Sequence, residues 1–289
     1  MNKHISIVLF AIASIVFASL LIRFSEAGPV ASGAYRLLLT IPLLLFLDKF
    51  SGKKTNASKL TREIIIYSML SGLFFALDLA VYNVSILYTS LAEATLLTNM
   101  APFFIVPISI IFLQEKVPFR FIYAVILAII GLYLLMGKSS LDQKHLIGDW
   151  LALLSAIFYA LFLTSIKKAA SNYSVNRVMV IVCLTGGILL FALAAAKQEI
   201  IFPQTTYGWF ILFAIAISGQ VLGQTLLAYG IKFLPLQLSS LFLLLSPIFA
   251  AIYALLFFNE RLNLIQSCGI ATILAAIYIG KRILELKKS

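Results

Sequence analysis

Three ionisable residues stand inside long apolar stretches of this sequence: Arg36, Asp78 and Glu93. A charge at the centre of an apolar helix in lipid costs about 2.5–3.5 kcal/mol on insertion scales, so these groups are the first candidates for function. Two readings fit them. They form a fixed ion pair that ties their helices together, or they bind a solute and carry protons, with Asp78 or Glu93 titrating. Burial favours pairing over isolated charges, so contact between Arg36 and one carboxylate is expected.

Gln220 and Gln224 lie one helical turn apart, beside Gly219 and Gly223. An amide in an apolar setting needs a partner, and cavity lining is the expected use. Small residues four apart more commonly make a packing seam between helices. Tyr82 and Tyr159 offer hydroxyls and aromatic faces to a ligand, although tyrosine also anchors helices at interfaces. Tyr35, Tyr229 and Tyr253 share both options. Pro102, Pro107 and Pro247 interrupt backbone hydrogen bonding, which exposes carbonyls or lets a helix bend, and Pro102 and Pro247 are taken as helix breaks.

Covalent or metal chemistry finds little material. The histidines, His4 and His145, fall in flanking or loop segments, and neither an H-E-x-x-H motif nor a phosphate-cradling glycine loop occurs. Cys183 and Cys268 sit in apolar runs, where a thiol behaves as a small hydrophobe. The expectation is no enzyme, no cofactor and no bound metal.

The elements that position the candidates follow from composition. Of 289 residues, 62% are hydrophobic and 11% charged, with a mean hydropathy of +1.05; a soluble domain carries about 25% charged residues. Ten apolar runs are readable, at approximately 5–24, 31–48, 64–84, 90–112, 119–136, 149–166, 177–195, 207–231, 236–257 and 263–280. The first exceeds the core of a signal peptide and lacks a clear cleavage site, so it reads as a retained span. The net charge of +11 does not form one basic face, which excludes nucleic acid as a partner. Its lysines and arginines fall in alternate connections. With ten crossings and both termini inside, roughly three-quarters of them face the cytoplasm, as the positive-inside rule requires. On this topology Arg36, Asp78 and Glu93 all fall in the outer third.

The chain also echoes itself. An offset of 145 residues sets Pro102 on Pro247 and Glu115 on Glu260; an offset of 147 sets Gly72 and Tyr82 on Gly219 and Tyr229. Glu115 and Glu260 close their spans beside a base and are expected to satisfy loop or helix-end amides. Two five-helix repeats, 1–137 and 138–289, must enter the membrane from opposite sides, an inverted-repeat arrangement typical of secondary transporters.

Several residues together resemble the drug/metabolite transporter superfamily in its ten-helix EamA type. They are Arg36 early in the second span, the Gly72 span, Tyr88-Thr89-Ser90 leading into a helix with Pro102 and a closing Glu115, and the echo at Pro247 and Glu260. The resemblance implies a multi-pass protein of the bacterial cytoplasmic (inner) membrane with a central cavity lined by spans 1, 3, 4, 6, 8 and 9. It also implies transport, commonly outward, of amino acids, other metabolites or toxic compounds. Tyr159 departs from the tryptophan that relatives often carry. A phosphorylated or nucleotide-type cargo should call for several cavity cations, and only Arg36 is available. A channel or receptor is the rival from another class, but a filter repeated around an axis is not evident. Partners are a small-molecule substrate and the lipid bilayer; proton coupling and the choice between monomer and homodimer stay open.

Overall fold

Lipid cannot satisfy backbone amides, so an apolar chain that spans it must do so within each segment as helix. The computed structural model is all-helical over its described residues, 2–50, 60–89, 91–136, 146–171, 173–258 and 263–285. Ser90, His145, Glu260 and Arg261 lie outside these residues, and the side chain of Glu93 lies outside those described. The elements in chain order are α1 (Asn2–Leu21) with a 3-10 turn (Ile22–Phe24), α2 (Pro29–Leu38), α3 (Thr40–Phe50), α4 (Arg62–Ser85), α5 (Leu91–Thr98), α6 (Ala101–Leu113) and α7 (Phe121–Met136). They continue with α8 (Leu146–Ala170), α9 (Val175–Ala196), α10 (Thr206–Ile215), a π-helical segment (Ala216–Thr225), α11 (Leu226–Phe233), α12 (Leu236–Leu243), α13 (Ser246–Phe258) and α14 (Leu264–Glu285).

Among the described residues nine helical stretches are long and apolar enough to cross a bilayer, and Phe121–Leu135 is a shorter apolar helix. At 1.5 Å per residue α7 covers roughly 24 Å of a hydrocarbon core about 30 Å thick, which leaves the count at nine to ten. The protein is a multi-pass membrane protein.

Several of these crossings are not single regular helices. The second changes helix at Leu39, where the Thr40 hydroxyl donates back to the Arg36 carbonyl at 2.7 Å. The fourth is interrupted at Asn99–Met100 and the ninth at Leu244–Leu245, positions separated by the same 145 residues as the repeated prolines. Pro102 and Pro247 each occupy the second position of the helix that follows, where a missing N–H costs nothing. The eighth widens into the π segment.

α4 packs along α8 and α9, α2 lies on α9, α7 pairs with α14, and α1 covers the π segment and α11. At the α4–α9 crossing the backbones nearly touch. A Cβ on Gly72 would stand 2.7 Å from the Val182 carbonyl, and one on Gly186 would stand 2.9 Å from the Gly72 carbonyl. Only glycine permits that approach.

Side-chain bonds tie the ends of the bundle. At one end Asp48 accepts from Ser174 at 3.0 Å and from Arg177 at 2.8 Å, and Lys167 pairs with Glu115 at 2.5 Å. At the other end two connections exchange helix caps. Glu199 accepts from the amides of Val30 and Ala31 at the start of α2, each at 3.0 Å. Glu26 accepts from the amides of Gln204 and Thr205, at 2.8 and 3.1 Å, and from the Thr205 hydroxyl just before α10. Anions at helix N-termini meet orphan N–H groups and a favourable dipole. The Thr205 hydroxyl holds the exposed Glu26 carboxylate below its ordinary titration range.

Candidate functional site

Arg36 is buried on α2 and aims its guanidinium at the π segment. Its Nη2 donates to the Gly219 carbonyl at 2.9 Å, and its cation stands 5.8 Å from the centre of the Phe75 ring. The Thr40 hydroxyl, whose one proton points mainly to the Arg36 carbonyl, also lies 3.3 Å from the Ala216 carbonyl, so both side chains of the second span adjoin carbonyls of the π segment. Gly219 makes the room: a Cβ there would lie 2.9 Å from Arg36 Nε and 2.8 Å from the Ala18 methyl. Gly223 lies instead against Ile15 of α1, where a Cβ would lie 2.7 Å from the Ile15 side chain. Of the two expected seam glycines, one therefore packs helices and the other admits a charge.

Asp78 is buried on α4 and accepts from the Ser155 hydroxyl of α8 at 2.5 Å. The expected contact between Arg36 and a carboxylate is not what the described residues make. Arg36 and Asp78 are electrostatic neighbours, yet each bonds a neutral partner, the Gly219 carbonyl and the Ser155 hydroxyl. The physical reason is supply: the π segment and α8 place oxygens closer to each charge than the two charges stand to one another. Glu93 falls on α5, with its side chain outside those described.

The other candidates gather around this pair. Tyr159 of α8 is half-buried, interacts with the Gln224 side chain and neighbours both Asp78 and Arg36. Tyr82 shares a hydrogen bond of 3.1 Å with Thr95 of α5 and neighbours Asp78. Gln220 donates a long 3.5 Å bond to the Cys183 sulfur. Three buried polar atoms in this cluster have no partner among the described residues: Arg36 Nε, Gln220 Oε1 and Gln224 Oε1. Buried polar groups are almost always satisfied, and each orphan costs about 1–3 kcal/mol, so a concentration of them marks a place kept for something else. Pro102 and Pro247 lie apart, at the helix interruptions already described.

Sequence reasoning missed Ser155, Thr40, Thr95 and Cys183 as parts of this site. A lone hydroxyl or thiol in an apolar helix carries no pattern that separates it from packing. It also missed the polar end of the bundle, where Lys167 donates to Glu115 and, at 2.6 Å, to the Leu234 carbonyl. Glu115 there accepts from the Leu236 amide at 3.2 Å, the helix-end role expected for it.

A polar cluster inside an apolar bundle of nine to ten crossings can hold a solute between helices that are interrupted. Residues 4–137 and 146–280 each match the EamA-like transporter family. The chain belongs to that family. The uncharacterized transporter YetK of Bacillus subtilis strain 168 is 26% identical over 275 residues, covering 92% of this chain and 82% of the relative. An uncharacterized transporter of Helicobacter pylori strain J99 is 25% identical, covering 97% of this chain and 98% of its own. The pseudopaline exporter CntI of Pseudomonas aeruginosa is 24% identical over 217 residues, 75% of each chain. A solved crystal structure superposes over the whole of both chains with a TM-score of 0.83 at 15% identity, which establishes likeness of fold. This transporter thus joins two family repeats to a polar cluster built from both of them.

Proposed function

We propose that this transporter exports small zwitterionic metabolites, amino acids or related compounds, by alternating access through a central cavity in the bacterial cytoplasmic membrane. The two five-helix halves are inverted with respect to each other, and both termini face the cytoplasm, which places the lysine-rich end of the bundle inside. One observation carries the reading. Among the described residues, the unpartnered atoms of the cluster are a cationic N–H donor, Arg36 Nε, and two acceptors, Gln220 Oε1 and Gln224 Oε1. A ligand that presents a carboxylate and an ammonium group satisfies both kinds at once. A single guanidinium suits a carboxylate better than a phosphorylated cargo, which calls for several cations. Asp78 is the carboxylate among the described side chains of the cluster, and it is the residue assigned to proton coupling. The outward direction takes support from the name of the Pseudomonas relative, an exporter.

The test is counterflow by purified protein in liposomes against a panel of amino acids and neutral, acidic and phosphorylated metabolites, with and without an imposed proton gradient. Exchange of zwitterions that accelerates with the gradient is expected. Exchange confined to phosphorylated compounds would overturn the cargo class, and a steady single-channel current in planar bilayers would overturn the carrier.

A further inference from the structure

At the end of the bundle where α6, α8 and α11 finish and α12 starts, an open cavity of about 440 Å³ is lined by Glu115, Lys116, Lys167, Lys232 and Gln237. That volume lies in the range that takes small organic ligands. Three lysines and one glutamate therefore share its lining. Glu115 is committed twice, to Lys167 at 2.5 Å and to the Leu236 amide at 3.2 Å. Lys232 donates to the Tyr173 carbonyl at 2.9 Å, a neutral partner that leaves its charge uncompensated. Lys116 is exposed and makes no ion pair among the described residues. Gln237 spends its amide on the Ser109 hydroxyl at 2.8 Å.

Lysines at membrane-protein ends are ordinarily solvated, since an ammonium keeps its stem on apolar surface and its head in water. Here the Lys167 side chain is only 14% exposed and Lys232 is half-buried. Drawing cations out of bulk water without a matching anion is costly. Each ammonium has three donors, of which Lys167 uses two and Lys232 one, so donors remain for an incoming acceptor.

We propose that this cavity is an anion-binding vestibule that takes a small ligand through a carboxylate or phosphate group held between Lys116 and Lys232. The site is separate from the Arg36 cluster and stands whether or not that cluster holds cargo. An anion seated there also competes with Glu115 for Lys167, and so bears on the bond that ties α6 and α8 to the start of α12.

The test uses the full chain in micelles, with succinate and inorganic phosphate as probes and succinamide as the uncharged control at matched ionic strength. Equilibrium dialysis is expected to show saturable binding of at least one anion and none of succinamide. K116Q/K232Q is expected to weaken that binding by about tenfold or more, and K116R/K232R to retain it. In the unmodified protein, the bound anion is expected to slow acylation of Lys116 and Lys232, read by mass spectrometry. Repetition in phosphatidylcholine nanodiscs, with and without phosphatidylglycerol, separates the sources: competition by phosphatidylglycerol assigns the site to a lipid headgroup, and its absence to a free metabolite. No saturable anion binding, or equal binding by K116Q/K232Q with no protection of the two lysines, overturns the proposal.

Discussion

The third and eighth spans share a Gly-to-Tyr spacing, Gly72 with Tyr82 and Gly219 with Tyr229, but the structure uses them differently. α4 is a continuous helix of 24 residues whose Gly72 meets α9 backbone to backbone and whose buried acid, Asp78, is satisfied by Ser155. The eighth span carries Thr225 at the position matching Asp78, and that hydroxyl donates to the Gln220 carbonyl five residues back at 2.8 Å, in the register of a π turn. π segments are rare and concentrate at functional sites. One repeat thus supplies a charge on an ordered backbone. Its counterpart supplies a loosened backbone, carbonyls for Arg36 and Thr40, and amides with oxygens to spare. Duplicated helices need not keep a duplicated site when the partners packed around them differ.

The sharpest way to break this division of labour is to remove the charge. Asp78→Asn keeps the shape and a hydrogen bond to Ser155, and is expected to reduce gradient-driven uptake in liposomes to the level of empty vesicles, with insertion and thermal stability retained. Thr225→Ala, at the matching position, is expected to leave clear transport. Loss in both would mean that the halves share the task evenly, and loss in neither would overturn the coupling role of Asp78.

Much of the scaffold was legible from sequence because its signals are local. The apolar runs and the repeated Pro102 and Pro247 each state their meaning within about 20 residues. The candidate cluster was legible by residue type, since an Arg36 or Asp78 within an apolar run is conspicuous. Its wiring was not. Ser155 lies 77 residues from Asp78, Gly219 lies 183 from Arg36, and Glu199 reaches back 169 to cap α2. Hydroxyls and backbone carbonyls are too common to point at distant partners, and no local pattern announces the π segment that packs against α1 and α2. Among the described side chains Arg36 and Asp78 do not pair, because each finds a neutral partner in the Gly219 carbonyl or the Ser155 hydroxyl.

The amides sharpen the contrast next. If Gln220 and Gln224 are held unsatisfied for a ligand, Gln220→Leu and Gln224→Leu should weaken zwitterion binding by about tenfold while the empty protein gains about 1–3 kcal/mol of stability, because a buried orphan is removed. Thermal unfolding without solute, set beside half-saturation in counterflow, reads both effects. Loss of stability would instead mark the amides as structural.

The matched glycines should then separate packing from function. Gly72→Ala pushes α4 against the backbone of α9, and overpacking of this kind costs about 1–3 kcal/mol. Gly219→Ala pushes first on the Arg36 guanidinium and the Ala18 methyl, so most of its effect should fall on transport. A double-mutant cycle with Arg36→Gln decides: the transport defect of Gly219→Ala should largely vanish when Arg36 is already gone, whereas the instability of Gly72→Ala should add independently.

The smallest difference is expected at the matched tyrosines. The Tyr82 hydroxyl is bonded to Thr95 and sits beside Asp78. The Tyr229 ring stands 5.2 Å from Phe233 and 6.1 Å from His4, with its hydroxyl unbonded among the described residues. Tyr82→Phe deletes one hydrogen bond, worth about 0.5–1.5 kcal/mol, at the edge of the cluster. A severalfold rise in the solute concentration for half-maximal counterflow is expected with it. Tyr229→Phe leaves the ring packing intact and should change neither stability nor half-saturation. Equal effects would show that position within the repeat, rather than the company each hydroxyl keeps, sets the role of these residues.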